Sequence, residues 1–176
     1  LVGAFHQPRA VFADVDLLAS LPTREFAAGM AEVIKYGLLG DRELYERLLK
    51  SETLTATSPE IEDIINRCCQ NKARIVEEDE RETDSGDGGR ALLNFGHTFA
   101  HAIEAVAGYG EYLHGEAVAI GMVCALRLSE KLEFLDLGHS PDLEALLGRQ
   151  GLPTVLRAPL ALKPLLNAMQ SDKKVK

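Results

Sequence analysis

Apolar residues recur at helical spacing along most of the chain, and this pattern predicts a mainly α-helical fold. Residues 58–76 open with Ser-Pro-Glu and continue with apolar side chains at every third or fourth position, interrupted by Lys72. Residues 115–132 are apolar nearly all round, which predicts a central buried helix. Further helices are predicted over 21–37, from an N-cap at Asp41 to Leu49, from an N-cap at Asn94 to Gly108, from Ser140 to Gly151 and from Pro164 onward. Residues 10–15 carry loosely alternating β-forming side chains and predict one strand.

The composition indicates a folded domain that binds neither nucleic acid nor membrane. A chain of 176 residues with 46% hydrophobic and 26% charged residues can build one domain with a sizeable core. The net charge of −8 leaves no basic patch to neutralise phosphates. No apolar run approaches the ~20 residues of a membrane span, and no secretory leader is visible. Because Cys68, Cys69 and Cys124 have neither disulfide nor metal spacing, we expect a cytoplasmic protein.

The strongest chemical signal is a group of histidines and carboxylates. His97, His101 and Glu104 are four and seven residues apart, which places them on one face of a predicted helix, and His114 follows ten residues later. Imidazole and carboxylate groups are ligands for a zinc-like divalent ion. Thr98 stands where a His-Glu-x-x-His protease needs its general base, so that motif is excluded. The spacing alone leaves open a metal site or histidines that only pack and hydrogen-bond.

Two lysines and one carboxylate stand among apolar residues of the predicted helices. Glu32 and Lys35 are three residues apart and therefore share a helical face. Burying a charged pair costs free energy, so a buried pair indicates a functional role. A polar stripe on an amphipathic helix also explains the two residues. Lys72 lies on the apolar face of the helix predicted over 58–76 and leaves two interpretations open. Either its stem packs on the apolar surface with the charge in solvent, or the charge contacts a buried substrate anion.

Taken together, these segments resemble the 3-dehydroquinate synthase family over nearly the whole chain. The matching stretches are residues 3–8, 32–35, 71–73, 79–82, 90–101, 108–110, 113–119 and 172–174. The resemblance implies a phosphate-eliminating lyase that converts 3-deoxy-D-arabino-heptulosonate 7-phosphate to 3-dehydroquinate. This reaction belongs to the shikimate pathway of aromatic amino-acid biosynthesis. The implied cofactors are catalytic NAD and Zn²⁺ or Co²⁺.

The resemblance also implies a role for individual residues. The implied metal ligands are Glu32, His97 and His114, so that His101 becomes a second-sphere or acid–base group. The implied substrate contacts are Lys35, Lys72, Arg90, Asn94 and His101, with one lysine of the pair Lys173 and Lys174. The implied edge of the NAD pocket comprises Leu17, Leu18, Ala19, Ser20 and Glu25. The spacing before Arg90 is longer than the family's, which is a departure from the pattern.

The family's architecture implies a nucleotide-binding α/β domain followed by a helical domain, with the active site between them. On this pattern, residues 1–20 correspond to the end of the α/β domain. Residues 21–176 correspond to the helical metal- and substrate-binding domain, truncated at its C-terminus. We therefore expect a fragment that is inactive alone and homodimeric at full length. The alternatives are another sugar-phosphate cyclase, such as 2-deoxy-scyllo-inosose or epi-valiolone synthase, and a non-catalytic helical module that binds metal.

Overall fold

The computed structural model describes residues 8–80, 89–108 and 110–171 of the chain. This part of the chain is helical and contains no sheet, which confirms the prediction of a mainly α fold. The α-helices are α1 (Thr23–Leu38), α2 (Arg42–Lys50), α3 (Ile61–Glu78), α4 (His97–Ala107), α5 (His114–Lys131), α6 (His139–Arg149) and α7 (Leu162–Ser171). Two 3₁₀ helices lie at Val15–Ser20 and Gly89–Asn94. None of the described helices is both long and apolar enough to cross a lipid bilayer.

Helix α5 is the centre of the fold, as the apolar run over 115–132 predicts. It packs against α1, α4 and α6, and eleven of its residues are buried. Its fully enclosed side chains include Val118, Met122 and Val123. Burying a side chain of this size stabilises the fold by about 1.5–3 kcal/mol. Because α5 is covered on several sides, the helices around it are held in fixed positions.

Two glycines of α5 let neighbouring backbones touch this helix. A Cβ atom on Gly115 would lie 1.9 Å from the carbonyl oxygen of Ala28 in α1. A Cβ atom on Gly121 would lie 2.1 Å from the carbonyl oxygen of Gly96, which precedes α4. Such distances leave no room for a side chain at either position unless the helices move apart. The two glycines therefore fix where α1 and α4 cross α5.

Local sequence signals predict some helix ends correctly and others not. Asp41 caps α2, because its carboxylate accepts a hydrogen bond of 3.0 Å from the backbone N–H of Leu44. Gly108 ends α4 with a φ of 100°. Asn94 does not cap α4 but lies in a 3₁₀ helix, and the N-cap is Gly96 at φ 77°. The contact of Gly96 with α5 determines this start, and a left-handed conformation at that point favours glycine.

The helices α3, α6 and α7 begin one or a few residues away from their predicted starts. Ser58 does not cap α3, because its hydroxyl accepts a hydrogen bond from Thr55 N at 2.9 Å, and the helix begins at Ile61. Helix α6 begins one residue before Ser140, and α7 begins two residues before Pro164. These shifts do not change which segments are helical.

The strand predicted over residues 10–15 is wrong. Residues 8–14 have no regular structure, and Val15 begins a 3₁₀ helix. Asp14 supports that helix by accepting a hydrogen bond from Asp16 N at 3.1 Å. A strand needs a partner for its backbone groups, and the described residues contain no second strand. Val11 and Phe12 are instead 76% and 96% exposed.

Candidate metal centre

Three helices each contribute one side chain to a common point. Glu32 comes from α1, and His97 and His114 are the first residues of α4 and α5. Oε1 of Glu32 lies 3.6 Å from Nε2 of His97 and 3.8 Å from Nε2 of His114. One ligand atom from each residue lies within 4.8 Å of the other two. Because tetrahedral ligands bound at ~2.1 Å are ~3.4 Å apart, these donors fit a divalent ion after a small closure.

The close helix crossings explain why these residues meet. Gly115 follows His114 directly and touches the backbone of Ala28, one helical turn before Glu32. Gly96 precedes His97 directly and touches α5. Each histidine therefore lies next to a glycine that fixes the distance between two helices.

His97 is a buried candidate ligand whose orientation is fixed by the backbone. Its side chain is 10% exposed, and Nδ1 lies 3.1 Å from the carbonyl oxygen of Phe95. A carbonyl only accepts, so Nδ1 carries the proton and Nε2 presents its lone pair toward Glu32. Burial lowers the pKa of His97 below its ordinary value, and the charge of Lys35 lowers it further. Both effects favour the neutral ring that a metal ion binds.

Lys35 orients the carboxylate of Glu32. Its side chain is buried, and its ammonium group pairs with Oε2 of Glu32. The other oxygen, Oε1, faces the two histidines. The predicted charged pair therefore joins the buried ammonium group of Lys35 to the partly exposed carboxylate of Glu32 beside the candidate metal centre.

His114 is more exposed than His97 and is held by a different group. Its side chain is 49% exposed, and Nδ1 lies 3.3 and 3.4 Å from the two carboxylate oxygens of Glu104. Glu104 shares a helical face with His97, and its spacing made it a candidate ligand. The structure instead directs Glu104 to the ring nitrogen of His114 that does not face Glu32.

His101 packs beside the centre and is not one of its three converging residues. The centroid of its ring lies 5.7 Å from that of His97, in an edge contact, and 6.2 Å from that of His114, in a stacked contact. The described residues that converge on one point are Glu32, His97 and His114. These are the three residues that the family resemblance implies as metal ligands, and their role as ligands stays a prediction.

The other predicted substrate contacts lie on α3 and on the segment before α4. Arg90 donates a hydrogen bond of 3.2 Å from Nη1 to the carbonyl oxygen of Glu80, and its backbone N–H donates to Asp79 at 3.3 Å. Asn94 ends the same 3₁₀ helix. Lys72 is exposed to solvent on α3, so it is not a buried lysine in this chain.

The residues predicted at the NAD pocket lie close together in the sequence. These are Leu17, Leu18, Ala19 and Ser20 in the first 3₁₀ helix and Glu25 in the first turn of α1. All are exposed except Leu18, which packs against the core. Lys173 and Lys174 lie outside the described residues. The roles of all these residues stay predictions.

Sequence reasoning missed an ion cluster that anchors the start of α5. The buried carboxylate of Glu116 accepts two hydrogen bonds from Arg24 at 2.8 and 2.7 Å and one from the backbone N–H of Leu113 at 2.9 Å. Arg157 pairs with the same carboxylate at 2.7 Å. The hydrogen bonds from Arg24 are the largest cause that lowers the pKa of Glu116 to about 2. Only the helix-start position of Glu116 was visible in the sequence, because Arg24 is 92 residues away.

The fold and the centre define a helical domain in which three converging side chains form a candidate site for a divalent metal ion. Residues 29–175 match the family model described as 3-dehydroquinate synthase C-terminal, so the chain belongs to this family. This match confirms the resemblance drawn from the sequence motifs.

Named relatives and a solved structure agree with this assignment. The 3-dehydroquinate synthase of Opitutus terrae is 59% identical over 176 residues, which are 100% of this chain and 48% of the relative. That of Nostoc punctiforme is 47% identical over 180 residues, again 100% of this chain and 48% of the relative. The chain thus spans about half the length of the curated relatives it matches. The structure of 2-deoxy-scyllo-inosose synthase with carbaglucose-6-phosphate, NAD⁺ and Co²⁺ superposes with a TM-score of 0.81 at 28% identity, covering 99% of this chain and 47% of that one.

Proposed function

We propose that this chain is the metal- and substrate-binding half of a 3-dehydroquinate synthase. The proposed reaction converts 3-deoxy-D-arabino-heptulosonate 7-phosphate to 3-dehydroquinate and phosphate. The observation that carries the proposal is the convergence of Glu32, His97 and His114 on one point beside Lys35 and His101. The relatives that bear this name are 47–59% identical over the whole chain. On this proposal, residues 21–176 form the helical domain and residues 1–20 lead out of an NAD-binding domain.

Zn²⁺ or Co²⁺ is the proposed metal. The donors are one carboxylate and two neutral imidazoles, which suit these ions and leave coordination positions open for substrate oxygens. When bound, the ion supplies a Lewis acid that lowers the pKa of a hydroxyl group and polarises a carbonyl group. The cobalt ion in the structure of 2-deoxy-scyllo-inosose synthase supports this choice.

The side chains around the proposed ligands suit a sugar-phosphate substrate that carries a carboxylate and several hydroxyl groups. His101 lies against both ligand histidines, where an imidazole can take a proton from a hydroxyl and return it. Lys35 provides a buried positive charge beside the same point. Lys72, Arg90 and Asn94 are the proposed contacts for the substrate's anionic and hydroxyl groups, together with Lys173 or Lys174.

NAD is the proposed redox cofactor, and it supplies hydride transfer. Leu17, Leu18, Ala19, Ser20 and Glu25 are the proposed edge of its pocket. On this proposal, the rest of that pocket lies in the half of the longer protein that this chain does not span, since the chain covers 48% of the Opitutus terrae relative. We place the activity in the cytoplasm and expect the longer protein to be a homodimer.

A chimera tests the proposed activity. Residues 1–176 would replace the corresponding half of the Opitutus terrae 3-dehydroquinate synthase, and phosphate release would be measured with the heptulosonate phosphate, NAD⁺ and Zn²⁺. We expect release that is lost in His101→Ala and Lys35→Ala and kept in Lys131→Ala, an exposed lysine at the end of α5. A folded chimera that binds metal and releases no phosphate would refute the proposal.

The same chimera tests a second candidate, another sugar-phosphate cyclase. The close superposition on 2-deoxy-scyllo-inosose synthase is the observation in its favour, whereas the lower identity of 28% speaks against it. Glucose 6-phosphate, of which the ligand in that structure is a carba analogue, is the discriminating substrate. Phosphate release from this compound, with none from the heptulosonate phosphate, would assign the second function.

A further inference from the structure

We propose that Glu104 is a positioning residue of the metal centre, which fixes the proton of His114 on Nδ1 so that Nε2 binds the ion. This inference rests on the proposed metal site and adds a residue that does not itself bind the ion. It gives a task to the third member of the His97–His101–Glu104 pattern, which the ligand set leaves unused.

The three ligands are all held through their second polar atom. Lys35 holds the remote oxygen of Glu32, and the carbonyl of Phe95 holds Nδ1 of His97. Glu104 is the corresponding group for His114, with both oxygens within 3.4 Å of Nδ1. Metal-bound histidines commonly donate their other N–H to a carboxylate or carbonyl oxygen, which fixes the tautomer and makes the ligand more basic.

His114 needs such a partner more than His97 does. Its side chain is 49% exposed, compared with 10% for His97, so packing restricts its ring much less. Rotation of a half-exposed imidazole would present Nδ1 in place of Nε2 to the ion. The carboxylate of Glu104 opposes this rotation, because it accepts a hydrogen bond only from a protonated nitrogen.

The charges of the centre support the same task. Glu32 shares its negative charge with the ammonium group of Lys35. The two ligand histidines are neutral when they bind metal, so a divalent ion lacks a full balancing charge among its ligands. Glu104 brings a second carboxylate to within one imidazole ring of the ion. Its side chain is only 25% exposed, which limits the screening of its charge by water.

Helix α4 therefore uses three successive turns of one face for one purpose. His97 binds, His101 packs on the ring of His114, and Glu104 accepts from the far nitrogen of that ring. The residues are four and three positions apart, which is the spacing that aligns side chains along a helix.

The test measures metal affinity in the purified chain with a competing chromophoric chelator. The variants are Glu104→Ala, Glu104→Gln and the control Glu144→Ala. Glu144 is matched to Glu104, because it is also paired with a basic side chain and is 26% exposed, but it lies on α6. We expect the Kd for Zn²⁺ to rise about 10–100-fold in Glu104→Ala. We expect a smaller rise in Glu104→Gln, which keeps an acceptor oxygen, and no change in Glu144→Ala.

Two further measurements separate positioning from a purely structural role. The visible absorption bands of the Co²⁺-loaded chain report ligand geometry, and we expect them to shift in Glu104→Ala while the thermal midpoint of the metal-free chain stays the same. In the zinc-loaded wild type, ¹⁵N chemical shifts should show His114 protonated at Nδ1 and bound through Nε2. This measurement decides the question even where a variant does not fold.

The outcomes distinguish the inference from the proposed site. A wild-type chain that binds neither Zn²⁺ nor Co²⁺ would overturn the site itself. Tight binding by the wild type with an unchanged Kd and unchanged Co²⁺ spectrum in Glu104→Ala would overturn the role of Glu104 alone. Binding of the ion through Nδ1 of His114 would overturn it as well.

Discussion

Replacing Gly115 with alanine tests how the metal centre is held together. Gly115 lets α5 touch the backbone of Ala28 in α1, next to the position of His114. The proposed ligands Glu32 and His114 belong to these two helices. A change in the helix separation must therefore alter the distance between two ligands of one ion.

The size of the effect follows from the contacts. The new Cβ atom would lie 1.9, 2.5 and 2.8 Å from the carbonyl oxygen, carbonyl carbon and Cα of Ala28. These are backbone atoms, so the helices must separate by about 1.1 Å to restore a separation of 3.0 Å. The distance of 3.8 Å between Glu32 Oε1 and His114 Nε2 would grow to about 4.9 Å, whereas two atoms bound to one zinc ion are ~4.2 Å apart at most.

We therefore expect Gly115→Ala to weaken Zn²⁺ binding by more than the ~10–100-fold that a lost outer-sphere contact costs. Overpacking should also lower the free energy of unfolding by about 1–3 kcal/mol. Chelator competition gives the affinity, and urea denaturation of the metal-free chain gives the stability. The matched control is Gly29→Ala in α1, where a Cβ atom meets nothing within 4 Å. It should stabilise the chain by about 0.4–1 kcal/mol and leave the Kd unchanged.

An unchanged metal affinity in a folded Gly115→Ala variant would refute this reasoning. It would mean that the helices can slide past the new methyl group without separating the ligands. Equal losses of metal affinity and stability in Gly29→Ala would also refute it. They would show that the losses come from any glycine-to-alanine change in these helices and not from the crossing of α1 and α5.

Three further outcomes are expected. The hydrogen bonds of Arg67 are the largest cause that lowers the pKa of Asp41 to about 2, below its ordinary value of 3.8. The resulting stabilisation of about 2 kcal/mol is complete above the unfolded pKa and is lost as the pH falls toward 2. Urea denaturation should therefore show that the difference in unfolding free energy between wild type and Asp41→Asn shrinks as the pH falls from the unfolded pKa toward 2. His101→Ala should leave the Kd for Zn²⁺ within about threefold of the wild type in chelator competition, because the ring lies outside the ligand set, whereas His97→Ala should abolish tight binding. Leu147→Ala, at a fully buried position of α6, should cost about 2–5 kcal/mol in the same denaturation assay.

The sequence predicts those features whose causes lie within a few residues. Asp41 caps α2 through a backbone group three residues away, and Gly108 ends α4 by its own conformation. The helical spacing of His97 and His101 likewise places both rings at one site. Each of these signals is local, so each can be read from the sequence without knowledge of the tertiary structure.

The features that were missed depend on distant contacts. Asn94 is a good N-cap by type, but the contact of Gly96 with Gly121 sets the start of α4 two residues later. The ion cluster around the buried carboxylate of Glu116 joins residues from three separate segments. Spacing made Glu104 a possible ligand, and only the packing of α4 on α5 turned it toward the far side of His114.

The arrangement of one proposed ligand on each of three helices makes a bound ion a cross-link. The stretch from Glu32 to His114 covers nearly half of the chain, and an unfolded chain cannot hold both ends at one ion. Above the Kd, every tenfold rise in free metal therefore stabilises the folded state by about 1.4 kcal/mol. With the proposed metal site, the lifetime of the protein against proteolysis follows the metal supply of its surroundings, so that metal starvation removes the protein as well as the bound ion.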